Sequence, residues 1–442
     1  RSTLKHRGKQ MIHEKIDVQI AGGLDFPLSS MVRVQQNFSA PTIEDIAATI
    51  KKEFAKEAIK NKIVPGQKIA VGCGSRGIAN IATITKSVIH ELIHLGAKPF
   101  IFPCMGSHGA ASAEGQKEVL AGYGISEETM SVPVHATMET EIVGHLEDGT
   151  PVHVDMNAAR ADGIIVINRI KPHTAFRGAT ESGLTKMLAI GIGKINGAAT
   201  YHRHGMDMFP SLLPKVRDVN IKQRNVLFGV GIVENAFDQT AVIEIIPAEQ
   251  IGDKEPELQK LAKENMPRLN FSSIDVLIID EMGKNISGAG FDPNITGRNR
   301  RGVEWSNGLN VKKIVVLGLT SESHGNATGI GGADVITMQL YRDMDVSATY
   351  ANVVTSMNLD GAAIPIIMNS DREAIALAIK TVVRTTPENC RIVRIKNTLS
   401  LGDIYVSENM LDELKEQPDE FTIISDAKDW QFDSYDSIQP FD

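Results

Sequence analysis

The sequence predicts an α/β protein built as two α/β domains with mainly parallel sheets. Three observations carry that expectation. Short β-branched runs are each followed by a glycine loop and then a helical pattern. The pattern restarts near residue 270. At 442 residues, with roughly 150 per domain, the chain is long enough for two or three cores. Its 42% hydrophobic and 23% charged residues are ordinary for a globular protein and exclude a disordered one.

Lys68–Cys73 is short, apolar and flanked by glycine, which predicts a buried strand. Gly74-Ser-Arg-Gly77 follows as a loop. Ile81 to Leu95 carries apolar residues at three- and four-residue spacing, and Gly96 is its stop signal. Lys98–Phe102 is the next strand, Gly106-Ser-His-Gly109 the next loop, and Ser112 is placed to cap the helix beyond it. Gly163–Asn168 is a third strand, ending in a basic segment. The stretch holding His135, His145 and His153 reads as paired strands. Lys254 to Leu269 is a charged helical stretch containing Pro256 and Pro267. Buried strands then return at Asp275–Asp280, Lys312–Gly318 and Cys390–Ile395. The composition shift puts a boundary near 268–272, giving domains 1–270 and 271–442. Trp430 and Phe432 in an otherwise acidic tail indicate that the tail packs.

Lys+Arg total 46 against 54 Asp+Glu, a net charge of −8, and no basic cluster suits a nucleic acid. The three cysteines, Cys73, Cys104 and Cys390, are far apart without a CxxC pair, so neither a disulfide framework nor a zinc site is expected. No apolar run reaches the ~18–20 residues that span a bilayer. The opening residues lack the apolar core of a signal peptide. Together these features predict a cytoplasmic protein with no membrane partner.

Ligands of open α/β sheets bind at the carboxyl ends of the strands. The loops Gly74–Gly77, Gly106–Gly109 and Asn168-Arg-Ile-Lys-Pro-His173 occupy such positions. They bring Arg76, His108, Arg169, Lys171 and His173 toward one rim suited to an anion. There is no GxGxxG or Walker motif, so no standard nucleotide is indicated. His202 and His204 form a His-x-His pair, which can place one or both imidazoles on a metal. His90 and His94 are four apart on a helix but lack an HExxH frame, and read as ordinary helix residues. His324, after a strand of the second half, is a further candidate. Lys186, in Ser182-Gly-Leu-Thr-Lys-Met-Leu188, sits where desolvation makes a lysine nucleophilic.

Gly106-Ser-His108 with a following helix containing Glu114, then Lys171-Pro-His173 with Gly178, Ser182-Gly183 and Lys186, then His202, form a series. That series resembles the lactate racemase family, whose members carry a nickel-pincer nucleotide. The resemblance runs from about residue 65 to 205, with looser similarity beyond. It implies an active site in the cleft between two α/β domains. It implies a nickel pyridinium-3,5-bisthiocarboxylate mononucleotide as cofactor, with one arm attached to Lys186 as a thioamide and His202 completing the nickel coordination. His108 and His173 match the family's acid/base pair. Arg76 is the nearest equivalent of its substrate arginine, and Gly74, Ser75, Lys171 and Ser182 are expected to help bind the cofactor.

The chain departs from the family at three places. Ala179-Thr-Glu-Ser-Gly-Leu-Thr-Lys186 has one glycine fewer than the usual Ser-Gly-Gly-x-Lys, and its lysine comes a few residues later. Gly74–Gly77 lacks the family's Asp and Pro. The stretch Gly288–Arg298 lacks its Gln/Lys pair for the substrate carboxylate, so a 2-hydroxy acid or sugar acid other than simple lactate is expected, with Asn294 and Arg298 as contacts.

The implied reaction inverts a carbon bearing OH, H and carboxylate. Hydride removal to a cationic ring, while a base takes the hydroxyl proton, is easier than abstracting a poorly acidic C–H. Two imidazoles serve the two enantiomers, each proton transfer contributing ~10²–10⁴-fold. Two other readings stay open. One is a same-family enzyme using the cofactor, or another metal, for a different hydride-shuttling reaction. The other is a non-catalytic nucleotide- or anion-binding protein. Either half could offer an interface for a homo-oligomer.

Overall fold

Tertiary contacts divide the described residues into two units, Phe38–Pro267 and a second made of residues 15–37 with those from Arg268 onward. The structure is a computed structural model. It describes residues 15–74, 77–300, 303–305 and 308–439, with residues 299, 300, 303 and 304 given by backbone only. The strands in chain order are β1 (Met31–Gln36), β2 (Lys68–Cys73), β3 (Lys98–Pro103), β4 (Thr140–His145), β5 (Pro151–Asp155), β6 (Gly163–Arg169), β7 (Val226–Glu234) and β8 (Thr240–Pro247). There follow β9 (Ser273–Met282), β10 (Arg298–Arg300), β11 (Val303–Glu304), β12 (Asn310–Leu319), β13 (Val335–Thr337), β14 (Ile366–Met368), β15 (Ile392–Ile395), β16 (Asp403–Ser407) and β17 (Phe421–Ile423).

The first unit has a five-stranded sheet of order β3-β2-β6-β7-β8. The first four strands are parallel, and β8 returns antiparallel along β7. Successive side chains of a strand point to opposite faces, so a strand covered on both sides reads as a continuous apolar run. In β6, Ile165 and Ile167 pack with Ile81, Ile84, Val88 and Leu92 of the helix Ile81–His94. Ile164 and Val166 pack on the other face with Leu184, Met187 and Leu188. Burial of each of those three anchors contributes ~1.5–3 kcal/mol, and together they fix the helical turn that carries Lys186. The expected cap is present, since Ser112 Oγ accepts the Gly115 N–H at 3.1 Å. β4 and β5 form an antiparallel ribbon carrying His145 and His153.

The second unit has an eight-stranded sheet of order β14-β13-β12-β9-β15-β16-β1-β17. It is parallel from β14 through β15 and antiparallel from there on. The expectation of mainly parallel sheets therefore holds for the strands read from sequence and not for this edge. Residues 15–37 fold with this unit, because β1 pairs with β16 and β17. The expected 1–270 domain assigned them to the other unit. Nothing in the local sequence marks a partner some 370 residues away. The acidic tail does pack: Trp430 Nε1 donates to Ser29 O at 2.8 Å and its ring stacks on Phe432.

Candidate active site

The site is built around a loop closed at its base. Lys171 and Ser182 exchange backbone hydrogen bonds (2.8 and 3.1 Å), so the residues between them return to their starting point. Inside the loop lies Glu181, only 2% exposed. A buried carboxylate must be met by donors. Here the His173 N–H reaches it at 2.8 Å, Lys263 Nζ at 2.7 Å, Arg177 Nη1 at 3.3 Å and the Gly178 N–H at 3.4 Å. Glu181 thereby fixes the backbone of His173, and Phe176 lies against the imidazole at 4.4 Å between ring centroids.

The chain leaves the loop through Gly183 into a short helix, Leu184–Lys186, followed by a wide π turn, Met187–Gly191. A Cβ on Gly183 would stand 2.2 Å from Glu255 Oε1, so only glycine fits. Glu255 is buried and accepts the Thr185 N–H at 2.9 Å, while Arg217 donates to Thr185 Oγ1 at 3.0 Å. Burial pushes the Glu255 carboxyl above its usual range, against the pull of Thr185 and Arg217. On the sheet, Gly229 leaves room for Leu184, whose Cδ1 would lie 2.7 Å from an added Cβ. These supports aim Lys186 at the loop, where its Nζ stands 2.7 Å from His173 Nε2.

His202 ends the helix Lys194–His202. Its Nδ1–H donates to Ala198 O at 2.6 Å, and its ring meets Phe209, which also packs on Phe176. Burial holds its pKa below the usual imidazole value. The ring is therefore neutral near pH 7 with a lone pair on Nε2, the form that ligates a metal. His204 turns away and meets Thr150 Oγ1 at 3.2 Å, so only one member of the His-x-His pair is aimed at this place.

His108 is exposed, on the loop after β3. Ala110 and Ala111 just beyond it adopt left-handed φ of 53° and 51°, which costs an alanine roughly 1–2 kcal/mol. A buried network holds this loop. Gln116 Nε2 donates to Gly106 O (2.8 Å) and His108 O (3.1 Å). Gln116 Oε1 accepts from Lys194 Nζ at 2.7 Å, and that ammonium also donates to Pro103 O at 2.6 Å and pairs with Asp155 at 3.1 Å. Both charged side chains are wholly buried. Lys194 thus links the His108 loop to the start of the helix that ends in His202. The Gly106 N–H donates to Gly191 O at 3.0 Å and ties the same loop to the π turn after Lys186.

The structure therefore brings His173, Lys186 and His202 into one neighbourhood, with the His108 loop packed beside them. Lys171 and Ser182 form the base of the loop. Gly74 backs onto Asn168, whose Oδ1 would be 3.0 Å from an added Cβ. Ser75 and Arg76 lie outside the described residues. Asn294 and Arg298 belong to the second unit. Asn294 Nδ2 donates to Asp292 at 2.8 Å and its Oδ1 accepts from Trp305 Nε1 at 3.1 Å, while Arg298 is buried against Asp334. Arg169 pairs with Glu234. Burial pushes Cys73 and Cys390 up to about 12 and Cys104 upward too, so none is a thiolate nucleophile. Among the described residues no group of three or more His, Cys, Asp or Glu is arranged to hold a metal, and no helix is long and apolar enough to cross a membrane.

Sequence reasoning missed Glu181, Glu255, Arg217, Gln116 and Lys194. The first four sit on helix or loop patterns that look solvated. Lys194 carried one signal, an isolated lysine within an apolar, glycine-rich run.

Fold and site define an α/β domain that gathers a lysine amine and imidazoles beside the carboxyl ends of parallel strands. Residues 23–211 match the family described as the lactate racemase N-terminal domain. The resemblance read from the Lys-Pro-His series is thus borne out at the level of the family. Among solved structures, the chain is similar to the lactate racemase apoprotein from Thermoanaerobacterium thermosaccharolyticum. Identity is 13% over 83% of this chain and 94% of that one, with a TM-score of 0.49. No curated protein matches the chain.

Proposed function

We propose that the protein is a racemase or epimerase of a 2-hydroxy acid or sugar acid that works with a nickel-pincer pyridinium nucleotide. The observation supporting this most directly is the 2.7 Å approach of Lys186 Nζ to His173 Nε2, within a lactate racemase N-terminal domain. The donor set suits the group. His202 would hold the nickel, since it offers Nε2, a borderline nitrogen donor, with its other ring nitrogen fixed on Ala198 O. Lys186 is the residue to which the nucleotide would be joined. When bound, the group supplies a cationic ring that takes and returns a hydride.

The chain's own residues do the rest. His173 Nε2, held by the Glu181 loop, is placed to take or give the proton of a substrate hydroxyl. His108 serves the other enantiomer from a loop fixed by Gln116. Each transfer contributes ~10²–10⁴-fold. Arg76 binds the substrate carboxylate in this reading. The decisive experiment is intact mass and metal analysis of protein co-expressed with cofactor maturation enzymes, followed by polarimetry on a panel of 2-hydroxy acids. A nickel-bearing adduct with loss of optical rotation is expected. Protein without nickel or adduct, under conditions that load a known lactate racemase, would overturn the reading.

A further inference from the structure

The tautomer of His173 is fixed by its backbone neighbour. The Ala175 N–H donates to His173 Nδ1 at 3.0 Å, so Nδ1 carries a lone pair. The ring's one proton is then on Nε2, which stands 2.7 Å from Lys186 Nζ. An ammonium has no lone pair to accept it. Any charged Lys186 sets two donors face to face at Nε2, or else requires a proton at Nδ1 opposite the Ala175 N–H. A doubly protonated imidazole meets the same obstacle. One arrangement satisfies both contacts: a neutral imidazole with Nε2–H donating to an uncharged amine.

We infer that His173 holds Lys186 as an uncharged, acylatable amine before any cofactor is attached. His173 then has two successive tasks, to keep the attachment point unprotonated and afterwards to serve the substrate. The inference rests on the proposed function for its purpose, but not for its chemistry. The charged groups around the pair are consistent with it. On the loop, Glu181 is met by Arg177, and by Lys263 from the helix Ile251–Asn265. Arg177 also donates to His173 O at 3.0 Å, which places a cation beside the pair and disfavours a second one. Glu255 of the same helix is engaged with Thr185 next to the lysine. His202, on the neighbouring helix, lies within electrostatic reach of Lys186 and is itself kept neutral by burial.

Acylation of such an amine breaks the hydrogen bond from His173 Nε2–H, joins Nζ through the freed lone pair to an acyl carbon, expels the leaving group with its bonding pair, and releases one amine proton to solvent. No oxidant or reductant is needed. Trace acetic anhydride therefore serves as the probe on cofactor-free protein, with acetate as leaving group. Peptide mass spectrometry across pH 6–11 would compare Lys186 with the exposed Lys260. Lys186 is expected to titrate at least one unit below Lys260, a tenfold larger uncharged fraction at neutral pH. His173→Asn should move it upward to the Lys260 value. Because that variant could disturb the loop, the unaltered protein gives an independent readout: ¹⁵N-histidine spectra at pH 7, with His173 assigned from the variant, should show the Nε2–H tautomer. A midpoint equal to that of Lys260, a midpoint unmoved in His173→Asn, or an Nδ1–H or imidazolium signal would each overturn the inference. All three are read without nickel, so their failure and the failure of the racemase reading are told apart.

Discussion

Lys194 offers a sharp test of how the site is held, because its ammonium and the Asp155 carboxylate are both without solvent contact and 3.1 Å apart. Lys194→Met removes one charge and keeps the volume. Asp155 then retains only the Asn157 and Ala158 N–H donors at its Oδ1. Breaking a buried pair from one side costs about 3–5 kcal/mol. A unit of this size shifts by ~2–4 °C per kcal/mol, so its melting temperature should fall by roughly 6–20 °C. Burial already raises the Asp155 pKa in spite of Lys194. Without Lys194 the fold favours the protonated acid still more, so the deficit should grow as pH rises from about 4 toward 8. Lys194→Met with Asp155→Asn removes both charges and should lose less than the two single variants added together, by ~2 kcal/mol. Circular-dichroism melts of the four proteins at pH 5 and 8 are the assay. A deficit below ~1 kcal/mol in Lys194→Met, or strict additivity in the double variant, would refute the reasoning.

Other outcomes follow from the same geometry. His108→Ala and His173→Ala should each lower racemisation by ~10²-fold or more, with nickel content read in parallel, and near wild-type rates in both would reject the acid/base pair. Gly183→Ala drives a Cβ against the Glu255 carboxylate and should cost about 1–3 kcal/mol, read as a urea midpoint, together with a lower yield of adduct at Lys186. His202 has its pKa lowered by burial, so its contribution to stability is fully present above about 6.5. It is lost as pH falls below that value, when the unfolded chain takes up the proton first. His202→Asn should flatten that part of the stability curve and reduce nickel retention, and an unchanged acid slope would show that other groups carry it.

The strands are legible because each is an apolar run with a glycine beside it, and burial on both faces removes the ambiguity of alternation. Lys68–Cys73 and Gly163–Asn168 fall within a residue of β2 and β6. Ser112 is legible as a cap because capping is local. The supports of the site are another matter. Glu255 acts on Thr185 from 70 residues away, and Lys194 on Gln116 from 78. A carboxylate on a charged helix looks the same whether it meets water or a backbone N–H, so no periodicity separates the two. β1 is missed as a member of the second unit for the same reason, since its partners lie at the far end of the chain. His173 and Lys186 are legible as candidates, but their mutual contact, 13 residues apart, depends on the loop turning back at Lys171 and Ser182.

That returning loop has an evolutionary corollary. With its two feet pinned by a ladder pair, the intervening stretch behaves as a tethered ring, and lengthening such a ring costs only about 0.6 kcal/mol per doubling. Residues can be gained or lost at Ala179 and Thr180, beyond the Ala175–Gly178 stretch that holds His173 and Glu181, while both ends stay put. Counting positions between histidine and lysine is then a poor yardstick for kinship, and the stretched spacing seen in this chain is compatible with an unchanged distance between the two side chains.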